Sequence, residues 1–377
     1  MRNAWLLAAL LTLAVGCSRG ESTGADVPAA APDTGPSSQA PAEAPAVPIE
    51  ERLLAGVDMS SVESNGIRMR IARMGEGPAV LLAHGWPESW YSWRHQLKAL
   101  ADAGYQAIAP DMRGYGGTDA PAAVEAYDVD TVAADMVGIL DALGIDKAVM
   151  IGHDWGAAVA ARTVLRYPDR FRALVLMSVP YTGRAPENPM ERMRANIGDN
   201  FFYMLYHNEP GGVAEAEYDS DPRGLLFRLY QSPNSPRKPP EVTDPRRAAG
   251  GWIPRLGEPL ALPDWLSEAD LDYYVSQFER TGFRGGVNYY RNLERDWLLG
   301  EDLAGATIDL PTLFIAGAQD IVIGGASKAD LEAMMASAVP GLADVMLFPS
   351  VGHWVQQEAA ARTNDAILAF LATLDGP

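Results

Sequence analysis

The fold of this chain is decided by one stretch, Ile151-Gly152-His153-Asp154-Trp155-Gly156. It follows the apolar residues 148–150, which predict a buried strand, and it leads into residues 157–167, which predict a helix. Small residues flank the central position, as in a nucleophile elbow, because the turn from strand to helix is strained and the helix start packs close to the strand. The central residue is Asp154 and not serine. We therefore expect a carboxylate at the place of the nucleophile.

Strands and helices alternate along most of the chain beyond residue 51. Residues 67–74 alternate apolar and polar side chains, which predicts a half-exposed edge strand, whereas residues 78–83 form the continuous apolar run of a buried strand. Further strands are predicted at residues 105–109, 148–151, 173–177, 310–316 and 345–348, and helices at residues 90–103, 129–143, 157–167, 326–338 and 357–374. This alternation predicts a doubly wound, mostly parallel α/β sheet.

Residues 181–307 interrupt this alternation. They are rich in proline, arginine and aromatic residues and show little strand character, with helical patches at residues 190–207, 221–230, 267–281 and 287–299. An insertion at this point would lie over the carboxyl ends of the strands, where open α/β sheets bind ligands. We therefore predict a core made of residues 51–180 and 308–377, with residues 181–307 as an inserted helical cap that serves as a lid.

The N-terminal residues have the pattern of an export signal. Arg2 precedes a short apolar run, and Gly16 precedes Cys17, the one cysteine of the chain, so residues 1–16 are predicted to be a signal peptide. Residues 17–50 are dominated by small, proline and acidic residues, which predicts a disordered tether. A cysteine directly after the cut resembles a bacterial lipoprotein signal. Cys17 is therefore either lipidated, which would anchor the protein to a membrane, or the first residue of an exported, periplasmic protein.

The composition is that of an acidic globular protein. The 377 residues carry a formal net charge of -19, and 48% of them are hydrophobic. Phosphate backbones bind clustered lysine and arginine, which this chain lacks, so nucleic acid is excluded as a partner. The acidity itself is typical of a well-solvated surface.

Two further residues stand just beyond the ends of predicted strands. Asp320 follows the strand at residues 310–316, and His353 follows the strand at residues 345–348. Nucleophile, acid and histidine occur in this chain order in the α/β-hydrolase fold. We therefore predict that Asp154, Asp320 and His353 form a catalytic triad.

The segment His84-Gly85-Trp86-Pro87 follows the second predicted strand. In a fold of this kind, the loop after that strand forms part of the oxyanion hole. The backbone N–H groups of Trp86 and Trp155 are predicted to converge on a developing oxyanion, the second helped by the positive end of the elbow helix.

Several segments together resemble the epoxide hydrolases of the α/β-hydrolase fold. They are residues 84–94 (HGWPESWYSWR), 111–116 (DMRGYG), 152–156 (GHDWG) and 352–354 (GHW). Two cap segments, FRGGVNYYRN at 283–292 and FYMLY at 202–206, extend the resemblance and place the family's two ring-opening tyrosines at Tyr290 and Tyr203. Spacing alone does not separate these two from other tyrosines of the cap, which are Tyr206, Tyr273, Tyr274 and Tyr289.

The resemblance implies that an epoxide is hydrolysed to a diol in two steps. Asp154 would attack a ring carbon and form an ester, while Tyr203 and Tyr290 supply a proton to the leaving oxygen. His353, oriented by Asp320, would then activate a water molecule that attacks the ester. The aromatic cap suggests an apolar epoxide, and neither step requires a metal or another cofactor.

Two alternatives stay open at the level of the sequence. Haloalkane dehalogenases share the aspartate nucleophile and bind halide through tryptophan N–H groups, a role that Trp155 could serve. Against this alternative, the paired cap tyrosines would then have no function. The second alternative is a lipoprotein that keeps the fold as a binding module without catalysis, although a binding module needs neither the triad nor the tyrosines.

Overall fold

The computed structural model describes residues 48–374. The chain divides into two compact units, residues 1–55 and residues 56–377. The predicted signal peptide, Cys17 and most of the predicted tether lie outside the described residues. The described part of the first unit contains one short helix, α1 (Ile49–Leu53). All other elements belong to the second unit.

The described part of the second unit is built on an eight-stranded sheet. Its strands are β1 (Asp58–Ser64), β2 (Ile67–Met74), β3 (Ala79–Ala83), β4 (Gln106–Pro110), β5 (Ala148–His153), β6 (Phe171–Met177), β7 (Thr312–Gly317) and β8 (Leu342–Phe348). They lie in the order β1-β2-β4-β3-β5-β6-β7-β8. The pairs β1–β2 and β2–β4 are antiparallel, and every other pair is parallel. The predicted mostly parallel α/β sheet is therefore confirmed.

The prediction that residues 67–74 form an edge strand is wrong. Strand β2 has the predicted bounds, but β1 pairs with it along its whole length, from Asp58 opposite Arg73 to Ser64 opposite Ile67. The edge strand on this side of the sheet is β1, whose sequence DMSSVES is polar and buried only at Ser64. Such a strand buries too little apolar surface to show the alternation from which strands are predicted.

Helices cover the sheet and connect its strands. They are α2 (Arg94–Asp102), α3 (Val129–Ala142), α4 (Trp155–Arg166), α5 (Pro189–Ile197), α6 (Tyr203–His207), α7 (Val213–Ser220), α8 (Pro222–Leu229), α9 (Glu268–Thr281), α10 (Arg284–Arg291), α11 (Leu293–Leu299), α12 (Lys328–Met335), α13 (Val355–Glu358) and α14 (Ala360–Leu371). Helix α3 packs against α4, and α2 packs against α14. Strands β3, β5 and β7 are buried at every position, as expected for strands that are covered on both faces.

Among the described residues, seven helices, α5 to α11, lie between β6 and β7. The helical patch predicted at residues 190–207 is interrupted at Gly198, which has a φ of 60° and ends α5, and the sequence did not predict α7. Hydrogen bonds join these helices to the rest of the unit: Tyr91 Oη–H donates to Asp270 Oδ1 at 2.7 Å. The predicted boundaries between core and cap stay predictions. Within residues 48–374, no helix has the length and apolar character needed to cross a membrane.

Candidate active site

The turn from β5 to α4 holds Asp154 in a strained conformation. Its φ is 53°, in a region that favours glycine, and such a conformation costs about 1–3 kcal/mol. The flanking glycines are required by space. A Cβ at Gly156 would lie 2.0 Å from the carbonyl oxygen of Ala83, and one at Gly152 would lie 2.1 Å from that of Gly156. The elbow therefore forms only where the two flanking side chains are absent.

The predicted triad residues lie together at the ends of β5, β7 and β8. His353 Nε2 lies 3.5 Å from Asp154 Oδ2, and His353 Nδ1 lies 3.1 Å from both carboxylate oxygens of Asp320. The backbone N–H of Val322 donates to Asp320 Oδ1 at 2.9 Å and fixes that carboxylate. The imidazole thus stands between two carboxylates, one at each ring nitrogen.

The charged forms of Asp154, Asp320 and His353 stabilise one another. Burial by itself lowers the pKa of His353, but the carboxylates of Asp320 and Asp154 outweigh burial and raise the pKa well above its ordinary value. Burial likewise raises the pKa of each carboxyl, and the facing imidazole outweighs it, so the pKa values of Asp154 and Asp320 are lowered. At neutral pH the free site therefore holds two carboxylates and an imidazolium.

The loop at residues 84–87 approaches the nucleophile closely. The backbone N–H of Trp86 donates to Asp154 Oδ1 at 2.8 Å, and a Cβ at Gly85 would lie 2.5 Å from the same oxygen. His84 is buried and anchors the loop, because its Nε2 accepts from the N–H of Met112 at 3.0 Å while Nδ1–H donates to the Gly85 carbonyl at 2.8 Å. The carbonyl of Pro87 accepts from the hydroxyl of Tyr230, and the bond between Trp86 and Pro87 is cis.

Helices α6 and α10 bring Tyr203 and Tyr290 to this site. The two rings lie 5.8 Å apart between centroids in an edge-to-face arrangement. Tyr290 also packs edge to face against Trp155, at 5.1 Å, and against Trp86, at 5.8 Å. Burial and then nearby groups that include the Asp154 carboxylate raise the pKa of both tyrosines. Both hydroxyls therefore remain protonated at neutral pH.

Comparison with known proteins agrees with this geometry. Residues 78–211 match the alpha/beta hydrolase fold family. The chain is 45% identical to epoxide hydrolase A of Mycobacterium tuberculosis over 320 residues, which cover 83% of this chain and 97% of that protein. It is 41% identical to epoxide hydrolase 1 of Siraitia grosvenorii, over 84% of this chain and 98% of that one. The chain belongs to the epoxide hydrolases of the α/β-hydrolase fold.

A solved structure supports the same assignment. The crystal structure of epoxide hydrolase A from Mycobacterium thermoresistibile superposes with a TM-score of 0.77 at 46% sequence identity, and the alignment covers 85% of this chain and all of that one. The protein is therefore a hydrolase that acts on ether bonds, as the sequence predicted.

A buried polar network behind the triad of this epoxide hydrolase was not predicted. His153 Nε2–H donates to the backbone carbonyl of His353 at 2.8 Å, and His153 Nδ1 lies 2.5 Å from Glu88 Oε1. Glu88 Oε2 accepts from Gln356 Nε2 at 2.9 Å. His153 lowers the pKa of Glu88 against the opposing effect of burial. Glu88 lies in the segment 84–94 and His153 in the segment 152–156, but their local sequence does not show that the two side chains meet.

A second unpredicted feature is the indole of Trp252, from the long cap loop between α8 and α9. It lies parallel to Trp86 at 5.6 Å and parallel to Tyr203 at 4.8 Å. His207 lies against the same cluster, 4.4 Å from Tyr290 between ring centroids, and burial lowers its pKa to about 3. His207 is therefore a neutral member of this aromatic cluster.

A cavity of about 250 Å³ lies beside Trp155, lined by residues of α4 and α11 among others. Its lining is mostly apolar and includes the carboxyl of Asp296. Asp296 Oδ1 accepts the backbone N–H of Val129 at 2.8 Å, and burial raises the pKa of this carboxyl to about 7. Within the described part of the chain, no group of three or more histidine, cysteine or acidic side chains is arranged to hold a metal ion.

Proposed function

We propose that this epoxide hydrolase converts an apolar epoxide and water to a vicinal diol through a covalent ester on Asp154. One observation carries the proposal: the nucleophile position holds a carboxylate, 3.5 Å from the base His353 on one side and facing two protonated cap tyrosines. A carboxylate attacks a saturated carbon, and the tyrosines meet the need of an epoxide for a proton on its leaving oxygen.

The first step is alkylation of the enzyme. An oxygen of Asp154 forms a bond to one ring carbon as the bond between that carbon and the epoxide oxygen breaks. Tyr203 and Tyr290 hydrogen-bond the departing oxygen, and one of them supplies its proton. The resulting tyrosinate regains a proton from the His353 imidazolium, which leaves the histidine neutral. The carboxylate becomes a neutral ester, and the substrate becomes a hydroxyalkyl group bound to the enzyme.

The second step is hydrolysis of the ester. His353 accepts a proton from water, and the resulting hydroxide attacks the carbonyl carbon of the Asp154 ester. The N–H of Trp86 already donates to Asp154 Oδ1, so it is in position to stabilise the tetrahedral oxyanion together with the N–H of Trp155 at the start of α4. Collapse transfers that proton from His353 to the departing diol oxygen and leaves Asp154 as a carboxylic acid. This acid gives its proton to His353, which restores the carboxylate and the imidazolium.

Replacing the base separates the two steps. In His353→Gln, alkylation should proceed and hydrolysis should stall, so intact-mass analysis should find protein plus one epoxide mass, located on Asp154 by peptide mapping. Tyr290→Phe should instead slow formation of the adduct. His95→Gln, at a part-buried histidine on α2, is the matched control and should turn over normally.

Two results would contradict the proposal. The first is turnover by His353→Gln without any adduct. The second is release of halide from chloroalkanes by an enzyme that forms no diol from styrene-type epoxides, which would favour the dehalogenase alternative.

We also propose that the protein is exported and held at a membrane through Cys17. The proposal rests on the signal-like residues 1–16 and the tether-like composition of residues 17–50. Intact-mass analysis of protein extracted from membranes tests it. A diacylglyceryl group on Cys17 is expected, and an unmodified Cys17 in soluble protein would contradict lipidation.

A further inference from the structure

Trp252 closes one side of the candidate active site. Its ring is parallel to Trp86 within 13° and to Tyr203 within 15°, so it stacks with both of these aromatic residues. Trp86 belongs to the loop that hydrogen-bonds the nucleophile, and Tyr203 is one of the candidate proton donors. Trp252 therefore bridges the nucleophile side and the proton-donor side of the site.

The loop that carries Trp252 is held in place. The carboxylate of Glu217 accepts two backbone N–H groups, from Trp252 at 2.9 Å and from Ile253 at 3.1 Å. A Cβ at Gly251 would lie 2.1 Å from the same carboxylate, which would have to shift to make room for it. Hydrogen bonds to a charged acceptor are stronger than neutral ones, and the indole adds stacked contacts with Trp86 and Tyr203. We therefore treat the indole as a wall of the site.

The geometry of ring opening means that the Trp252 indole would restrict which epoxides can bind. Attack by Asp154 occurs opposite the departing oxygen, so the epoxide ring must lie between the carboxylate and the hydroxyls of Tyr203 and Tyr290. The substituents of its two carbons then extend sideways in opposite directions. Because Trp252 stacks with Tyr203 at 4.8 Å, we infer that it occupies one of these directions.

We propose that Trp252 determines specificity, admitting epoxides with a large group on one ring carbon and excluding those with large groups on both. This inference rests on the proposed epoxide hydrolysis at Asp154. It narrows the substrate class to terminal epoxides and those whose second substituent is small. Removing the indole should open a slot, with Trp86 and Tyr203 as its walls, that fits a flat aryl group.

The test compares styrene oxide, with one phenyl group, and trans-stilbene oxide, with a phenyl group on each ring carbon. The wild type should prefer styrene oxide. In Trp252→Ala, the ratio of kcat/KM for trans-stilbene oxide to that for styrene oxide should rise at least about tenfold, because pocket size is read through such ratios. Trp252→Phe keeps a stacked ring and should stay near the wild-type ratio.

Trp265→Ala is the matched control. Trp265 lies in the same cap loop and is equally half-buried, but its indole donates to Ser232 Oγ at 3.0 Å, away from the tyrosines. In Trp265→Ala, the ratio of kcat/KM for trans-stilbene oxide to that for styrene oxide should equal the wild-type ratio. If Trp252→Ala does not fold, as judged by thermal unfolding, Trp252→Leu replaces it, because leucine keeps apolar contacts and still vacates most of the slot.

The outcomes separate this inference from the function on which it rests. An unchanged ratio, or an equal loss of kcat on both epoxides, would mean that Trp252 only supports Tyr203, and it would overturn the inference alone. A wild type that hydrolyses neither epoxide and forms no adduct on Asp154 would overturn the proposed function and this inference together.

Discussion

Asp154 and His353 depend on each other for their charge states. The imidazole lowers the pKa of Asp154, and the Asp154 carboxylate is one of the two groups that raise the pKa of His353. In the proposed mechanism, esterification removes that negative charge. The pKa of His353 would then fall, so the histidine would become a better base at the hydrolysis step.

Asp154→Asn reproduces the charge of the ester without the substrate. We expect the pKa of His353 to be lower in this variant than in the wild type, because only Asp320 still opposes the effect of burial. Titration of the histidine ring signals by NMR measures the shift, and the signal of His95 on α2 serves as the internal reference. A His353 signal that titrates at the same pH in both proteins would contradict the coupling.

At the scale of elements, the strand-to-helix turn depends on close contact between backbones. The site of Gly156 lies against the carbonyl of Ala83 in β3, so the elbow is held by the neighbouring strand as well as by its own residues. Gly144, after α3, also has a positive φ of 67°, but no atom would lie within 4 Å of a Cβ there. These two glycines separate crowding from backbone conformation.

Substitution of these two glycines by alanine should therefore lower the free energy of unfolding by unequal amounts. Gly144→Ala should cost about 1 kcal/mol of stability, since only the positive φ opposes it. Gly156→Ala should cost more than about 3 kcal/mol or prevent folding, because backbone atoms of Ala83 and His84 would have to move. Urea unfolding gives both free energies, and equal costs would show that the contact with Ala83 is not rigid.

At the scale of the whole molecule, the helices between β6 and β7 share buried polar groups with helices that pack on the sheet. Asp296 on α11 accepts the N–H of Val129, the first residue of α3, while the backbone carbonyl of Asp296 accepts from Arg162 of α4 at 2.8 Å. Burial is the largest cause of the raised pKa of Asp296. Asp128 and Asp130 raise this pKa further, whereas the N–H of Val129 and Arg162 lower it. This carboxyl is thus a titratable contact between the two parts.

The pH dependence of stability follows from the sign of this shift. The pKa of Asp296 is about 7 in the folded state and about 3.8 in the unfolded state. Protonated Asp296 therefore stabilises the folded state fully below pH 3.8, and this stabilisation is lost as pH rises through 7. Asp296→Asn keeps an acceptor for Val129 and cannot ionise. Relative to the wild type, it should gain roughly 3 kcal/mol of unfolding free energy between pH 4 and pH 8.

Chemical denaturation of both proteins at the two pH values measures this gain. A parallel pH dependence of the variant and the wild type would show that Asp296 ionises as readily in the folded state as in the unfolded state.

Much of the fold and the three triad positions could be predicted because their signals are local. Continuous apolar runs mark strands buried on both faces, and Asp154 and Asp320 follow two such strands, β5 and β7. His353 follows the apolar residues 345–348 of the part-exposed strand β8. The elements that were missed lack those signals. Strand β1 is polar because it lies at an edge, and α7 (Val213–Ser220) was missed in an irregular, polar stretch of the cap.

The sequence by itself determined the α/β sheet, the carboxylate at the elbow and the order of acid and base, because short-range patterns carry them. Spacing did not separate the tyrosines of the cap, the resemblance pointed to Tyr203 and Tyr290, and the tertiary structure adds the surroundings of each. Tyr273, Tyr274 and Tyr289 hydrogen-bond Trp90, Ser92 and the carbonyl of Arg113, whereas burial and the Asp154 carboxylate both raise the pKa values of Tyr203 and Tyr290. Only the tertiary structure shows that Trp252 stacks with Trp86 and Tyr203, and that Glu88 pairs with His153. Which side chains meet across such distances in sequence is set by packing of whole elements, and no local pattern records it.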